Sequence, residues 1–285
     1  MRISRMTVVA VTSLAMFVAC GSDSSDGGGK SPPKNDFGLA FSPIYTAVDG
    51  QHDFRVPIVA QGGVVVDSWE IVSKDGTSHK EAGDFTPDPT LGGTMFKANK
   101  AGDYYVVAHA GKQSGCAEIH ITPATPAQWD VGQARYNNEI VLTTLVPTGT
   151  MPMLPKDISC KNCHGQGAEF LAVEHTPQQT AGYSDTDLKN ILTMGMKPTP
   201  PDPTIPADCT PYAYMPSKTG VPLALYRFFH TWQATDDEQT GLVVYLRSLP
   251  PMAQGNLDFG GLVRMGGTAA PPPPPAAGGA AGAAP

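Results

Sequence analysis

Cys160 and Cys163 stand three positions apart, and His164 follows directly, in the segment Ser159-Cys160-Lys161-Asn162-Cys163-His164-Gly165. On a helical turn, residues at i and i+3 lie on one face, so two thiols at this spacing can reach the two vinyl groups of one porphyrin. Each thiol adds to a vinyl group as a thioether, and the imidazole that follows is held beneath the iron as its proximal ligand. Cys-x-x-Cys-His is the attachment signature of c-type heme, and the sequence carries it once. Other uses of paired cysteines ask for different surroundings. A thioredoxin-like pair needs a βαβ context, which the flanking sequence lacks. A zinc site needs four ligands, and the adjacent Cys163 and His164 do not easily converge on one ion. The predicted cofactor is therefore one covalent heme c, held by Cys160, Cys163 and His164.

Helices are needed to position this motif. Ser184-Asp185-Thr186-Asp187 reads as a capping-box start, followed by Leu188, Ile191 and Leu192 at helical spacing, with a stop near Gly195. Thr235-Asp236-Asp237-Glu238 reads as a second start. Leu242, Tyr245, Leu246 and Leu249 follow at i, i+3, i+4 and i+7, and Pro250-Pro251 end the run. The segments "CKNCHG", "SDTDLKNILTMG", "YMP" and "VVYLRSL" occur in the order in which class I cytochrome c domains present them, and residues 154–252 resemble that family. The resemblance implies an all-α domain whose final helix crosses the heme-binding helix. It also implies a methionine, often before proline, as the sixth iron ligand from the loop ahead of that helix. Met215-Pro216 fits this position, making Met215 the expected ligand. A thioether favours ferrous iron and raises the potential. His230, in "FFHTW", is the alternative, and bis-His ligation would lower the potential. Met194 and Met196 read as core residues of a helix end, His175 as a loop hydrogen-bonder, and the proline-rich residues 197–207 as an irregular loop.

Upstream, residues 37–123 read as short strands. Ile58-Val59-Ala60 and Val64-Val65-Val66 flank Gln61-Gly62-Gly63 as in a hairpin. Tyr104, Val106 and Ala108 alternate onto one face, as do Ala117, Ile119 and Ile121 after the next turn. Trp69 is a large buried candidate. Turns recurring about every ten residues favour a sandwich. The stretch around Trp69 and "AGDYYVVAHAG" resemble bacterial immunoglobulin-like domains, which implies a spacer or binding module. His52, His109 and His120 in this region read as surface or satisfied histidines. The expected fold class is thus multidomain, β then α: an Ig-like β-sandwich over 37–123, followed by an all-α cytochrome c domain over 124–265 with its core at 154–252.

The ends carry other signals. Arg2 and Arg5 precede the mostly apolar run from Met6 to Ala19, the pattern of a secretory signal peptide over residues 1–19. The run closes on Phe17-Val18-Ala19-Cys20-Gly21, which resembles the bacterial lipoprotein box and implies lipidation of Cys20 after cleavage. Residues 20–36 then form a lipid-anchored linker, since their Ser, Gly and Pro content offers little apolar surface. Residues 266–285 read as a disordered Pro/Ala/Gly tail, with five consecutive prolines from Pro271. The expected location is the cell envelope, lipid-anchored to a membrane on its periplasmic or surface face. Cys116 and Cys209 are left over. An oxidising compartment permits a disulfide between them, and two thiols are the other reading.

The net charge of −7 is a poor match to nucleic acid, whose phosphates need clustered Lys and Arg. Gly (31) and Pro (28) together make about a fifth of the 285 residues, which excludes one long helical bundle. The expected function is a membrane-tethered, mono-heme c-type cytochrome that passes electrons between redox protein partners. That makes it an electron carrier and not an enzyme by itself, with a subunit role in an oxidoreductase complex as a wider setting. The alternative is a surface binding or heme-sensing lipoprotein in which the Ig-like module carries the function.

Overall fold

The computed structural model describes residues 33–88, 93–138, 159–164, 175–196, 208–209 and 230–251. Among these residues, seven strands form two sheets: β1 (Ile44–Val48), β2 (Arg55–Ile58), β3 (Ser68–Val72), β4 (Gly83–Asp88), β5 (Gly93–Ala98), β6 (Gly102–Ala110) and β7 (Gln113–Pro123). The larger sheet runs β1-β7-β6-β3 and the smaller β2-β5-β4. All pairs are antiparallel except β1 with β7, where Ile44 lies opposite Ile119 in a parallel ladder.

Period-2 alternation builds the core. Tyr104, Val106 and Ala108 of β6 and Ala117, Ile119 and Ile121 of β7 point inward as their spacing predicts. They meet Val56, Ile58 and Phe96 from the smaller sheet in one buried cluster. Trp69 is partly buried and packs against that cluster. The hairpin expected at Gln61–Gly63 does not form. These residues make a 3-10 turn that carries the chain from one sheet to the other, so β2 pairs with β5 and β3 with β6. Turn residues report a local reversal and are silent on which sheet the next strand joins. His52, His109 and His120 each face a carboxylate, from Asp49, Glu70 and Asp103 respectively.

Among the described residues, five helices follow: α1 (Pro126–Asn137), α2 (Cys160–His164), α3 (Pro177–Thr180), α4 (Asp185–Met194) and α5 (Asp236–Ser248). The expected second half, an all-α cytochrome c domain, is not evident: the described residues form two β-sheets with helices of 4 to 13 residues packed beside them. The physical reason lies in what the helices bury. Several of them pack onto the sandwich instead of closing wholly around a core of their own. Ala181, just after α3, belongs to the sandwich core, and Val244 of α5 packs with Ala47 of β1 and Phe54. β1 is an edge strand, and a bare edge must be covered or paired. Here the backbone N–H of Tyr45 donates to the Ala181 carbonyl at 2.7 Å, and Thr122 Oγ1 donates to Asp185 Oδ2 at 2.8 Å.

Arg247 of α5 fastens this junction. It is 2% exposed and lies over the Tyr45 ring at 5.7 Å. Its guanidinium donates to the carbonyls of Thr180 (2.6 Å) and Tyr183 (2.5 Å) and to Asp185 Oδ1 (3.1 Å). Burial draws its pKa down, and the Asp185 carboxylate opposes that shift. Arg247→Met keeps the stem and removes every donor, leaving two carbonyls and a carboxylate without their partner. Loss of about 3 kcal/mol is expected, read as a lower urea midpoint at unchanged slope.

On the outer face of the larger sheet, Cys116 pairs with Cys209 in a disulfide that spans 93 positions of sequence. Cys116 faces away from the sandwich core, as its neighbour Ala117 faces in, yet it is fully buried, because Val72, Val107 and Cys209 pack with it. Its N–H donates to Asn35 Oδ1 at 3.1 Å, which draws the amino-terminal segment onto the same face. Met194 and Met196, expected in a core, are instead 57% and 53% exposed. No helix among the described residues is long and apolar enough to cross a membrane.

Candidate functional site

Helix α2 contains all three motif residues, Cys160, Cys163 and His164. Cys160 is buried, its sulfur is outside any disulfide, and it packs with Tyr136 of α1, Leu192 of α4, Trp232, and Leu242 and Leu246 of α5. Three helices and the segment before α5 thus converge on the first motif cysteine. The leucines that reach it are those whose helical spacing was legible.

Local capping explains why those helices start where they do. Ser184 and Asp187 form the expected capping box of α4, Thr235 and Glu238 that of α5, and Gly195 ends α4 in the left-handed conformation that glycine adopts without a steric penalty. Helix α1 went unread in the sequence, although Thr125-Pro126 with Gln128 carries a capping box and a proline in the first turn. It packs along α5, where Gly132 faces Gly241 so closely that a Cβ on Gly132 would strike the Gly241 carbonyl. That close approach brings Tyr136 of α1 against Tyr245 of α5, ring centroids 5.2 Å apart, and both beside α2.

Three histidines gather at this point. His164 is buried, and its ring stacks on that of His175 with centroids 4.0 Å apart and planes 18° apart. The His175 backbone N–H donates to the His164 carbonyl at 3.0 Å, and Tyr136 Oη donates to the same oxygen at 3.3 Å. His230, also buried, is centred 6.0 Å from the His164 ring and tilted 44° to it. Burial first, then the neighbouring His164 and His230, hold the His175 imidazole well below the ordinary histidine pKa, so it stays neutral near pH 7. Its Nδ1 is buried and has no hydrogen-bond partner among the described residues. His175 thus departs from its expected role: its ring packs on His164, and only its backbone N–H makes the bond.

Among the described residues, no group of three or more His, Cys, Asp or Glu side chains is arranged to hold a metal ion by itself. The stacked pair explains this, because face-to-face rings do not aim their nitrogens at a common point. A porphyrin relaxes the demand, since the macrocycle supplies four nitrogens and the protein only axial ligands. Cys160, Cys163 and His164 could hold such a group. Cys20 and Met215, the expected lipidation site and sixth ligand, lie outside the described residues.

A concavity of about 450 Å³ lies on the sandwich between Ile58, Val64, Val66, Trp69, Pro87 and Thr94. It shares no residue with the histidine cluster, and the neighbouring Val65 is 82% exposed.

No protein-family model matches the chain, and no curated protein does. Among solved structures, titin domain M7 is 14% identical, with 33% of this chain and 100% of that one covered at a TM-score of 0.24. Bovine butyrophilin is 13% identical, with 40% and 62% covered at 0.23. The S-layer protein SbsC, domains 4 and 5, is 13% identical, with 32% and 54% covered at 0.20.

Proposed function

We propose that the chain is a mono-heme electron carrier of the cell envelope, with heme c bound covalently to Cys160 and Cys163 and His164 as the proximal ligand. The observation that carries the reading is the junction of sequence and site: the one Cys-x-x-Cys-His of the chain falls on a helical turn whose first cysteine and histidine are both buried. The Nδ1 of the buried His175 ring beside His164, which has no hydrogen-bond partner among the described residues, is in keeping with a site that a further group completes.

When bound, the heme supplies a one-electron couple between ferrous and ferric iron. The chain's own residues do the rest. Tyr136, Leu192, Trp232, Leu242 and Leu246 surround Cys160 and exclude water from that side. His175 packs on the His164 ring and fixes its plane, and the bonds from Tyr136 and His175 to the His164 carbonyl hold the backbone of the turn. A dry pocket with fixed ligands keeps reorganisation small when the iron changes charge. Export and anchoring through Cys20 belong to the same reading, because covalent heme attachment in bacteria takes place outside the cytoplasm. Its partners are redox proteins at that membrane, and nucleic acid is not among them. The Cys116–Cys209 disulfide is in keeping with an oxidising compartment.

The experiment is a potentiometric titration of the purified protein followed by visible absorption. One reversible single-electron step with c-type heme bands is the expected result. A colourless protein, or a heme that binds without cycling, would contradict the proposal.

A further inference from the structure

We propose that His230 is the sixth ligand of the heme iron, on the face opposite His164. This rests on the heme reading above and adds the residue that closes the second face of the iron.

A histidine nitrogen sits about 2 Å from a metal that it ligates, and the ring centre lies about 1 Å behind that nitrogen. Two imidazoles in line on either side of one ion therefore have centroids about 6 Å apart. The rings of His164 and His230 are centred 6.0 Å apart. Their 44° tilt is compatible with this, because each ring can turn about the axis through its nitrogen and the ion without leaving it. His175 fails the same test. At 4.0 Å and nearly parallel, it lies face to face with His164, and no ion fits in line between the two. It is a positioning residue for the His164 imidazole.

His230 is also held by the elements that frame the motif. Its ring runs parallel to that of Trp232, centroids 6.3 Å apart, and the Trp232 backbone N–H donates to the Leu192 carbonyl near the end of α4 at 3.2 Å. Leu192 and Trp232 pack in the cluster that buries Cys160. The segment bearing His230 is thereby tied to the cysteine that would carry the heme. Two imidazoles stabilise ferric iron relative to a His–Met pair, so the potential would fall below that expected for Met215 ligation.

The test uses the full-length protein matured with its heme, read by electron paramagnetic resonance of the ferric form and by absorption. Wild type should be low-spin with a two-imidazole signature, should lack the far-red sulfur-to-iron band, and should bind no CO as the native ferrous protein. His230→Gly should become high-spin and bind CO, and added imidazole should restore the low-spin spectrum. Met215→Leu should leave the spectrum unchanged. A far-red band in wild type that vanishes in Met215→Leu and survives in His230→Gly would overturn the assignment, and so would a five-coordinate wild type. If His230→Gly fails to accumulate, the wild-type spectrum and Met215→Leu decide between the two ligands. A chain that matures without covalent heme overturns the proposed function along with this inference, whereas covalent heme with a sulfur-capped spectrum overturns this inference alone.

Discussion

Replacing Cys160 and Cys163 together with alanine is expected to abolish retention of heme on the denatured polypeptide, and each single replacement should sharply reduce it. Each thioether is a carbon–sulfur bond that survives unfolding, so only its loss lets heme extract. The structural setting sharpens the expectation for Cys160. It sits among Tyr136, Leu192, Trp232, Leu242 and Leu246, and alanine there removes one buried sulfur. The apoprotein should lose about 1 kcal/mol or less for that small cavity, so the fold persists while the heme does not. His164→Ala separates the roles. Heme should stay attached through both cysteines, yet lack its proximal ligand and bind exogenous imidazole.

Removing the disulfide with Cys209→Ser is expected to be the largest single loss of stability, about 4 kcal/mol. The cross-link joins positions 93 apart, and the chain entropy withheld from the unfolded state grows with the length of the closed loop. The substitution adds to the loss by placing a serine hydroxyl at a position that is 7% exposed and packed with Val72, Val107 and Cys116. Urea unfolding of wild type with and without a reductant should reproduce the shift seen in the variant. Equal midpoints for oxidised and reduced protein would show that the bond constrains nothing.

What was legible in the sequence follows from how local each signal is. The motif at Cys160–His164 is contiguous, and the capping boxes at Ser184 and Thr235 span four residues, so all three could be read directly. The inward faces of β6 and β7 were equally plain, because strand alternation repeats at every second residue. The packing partners were not. The spacing of Leu242, Tyr245, Leu246 and Leu249 marks a helix with an apolar face and does not say what covers it. In the structure, Val244 and Arg247 of that helix turn to β1 and its neighbours, and this is why the expected all-α cytochrome c domain does not stand. The polar anchor Arg247 carried no signal either, since an arginine near a helix end reads as a solvated charge. His164, His175 and His230 meet only through contacts between separate segments, and no period links them.

Mass spectrometry of the intact, denatured protein, produced with a heme-attachment machinery and extracted with acidified acetone, shows whether heme is bonded to the polypeptide. If Cys160 and Cys163 carry the cofactor, the polypeptide stays red after extraction and its mass exceeds that of the processed chain by one heme. A colourless polypeptide at the mass of the chain alone, with all the heme in the acetone, would contradict that attachment.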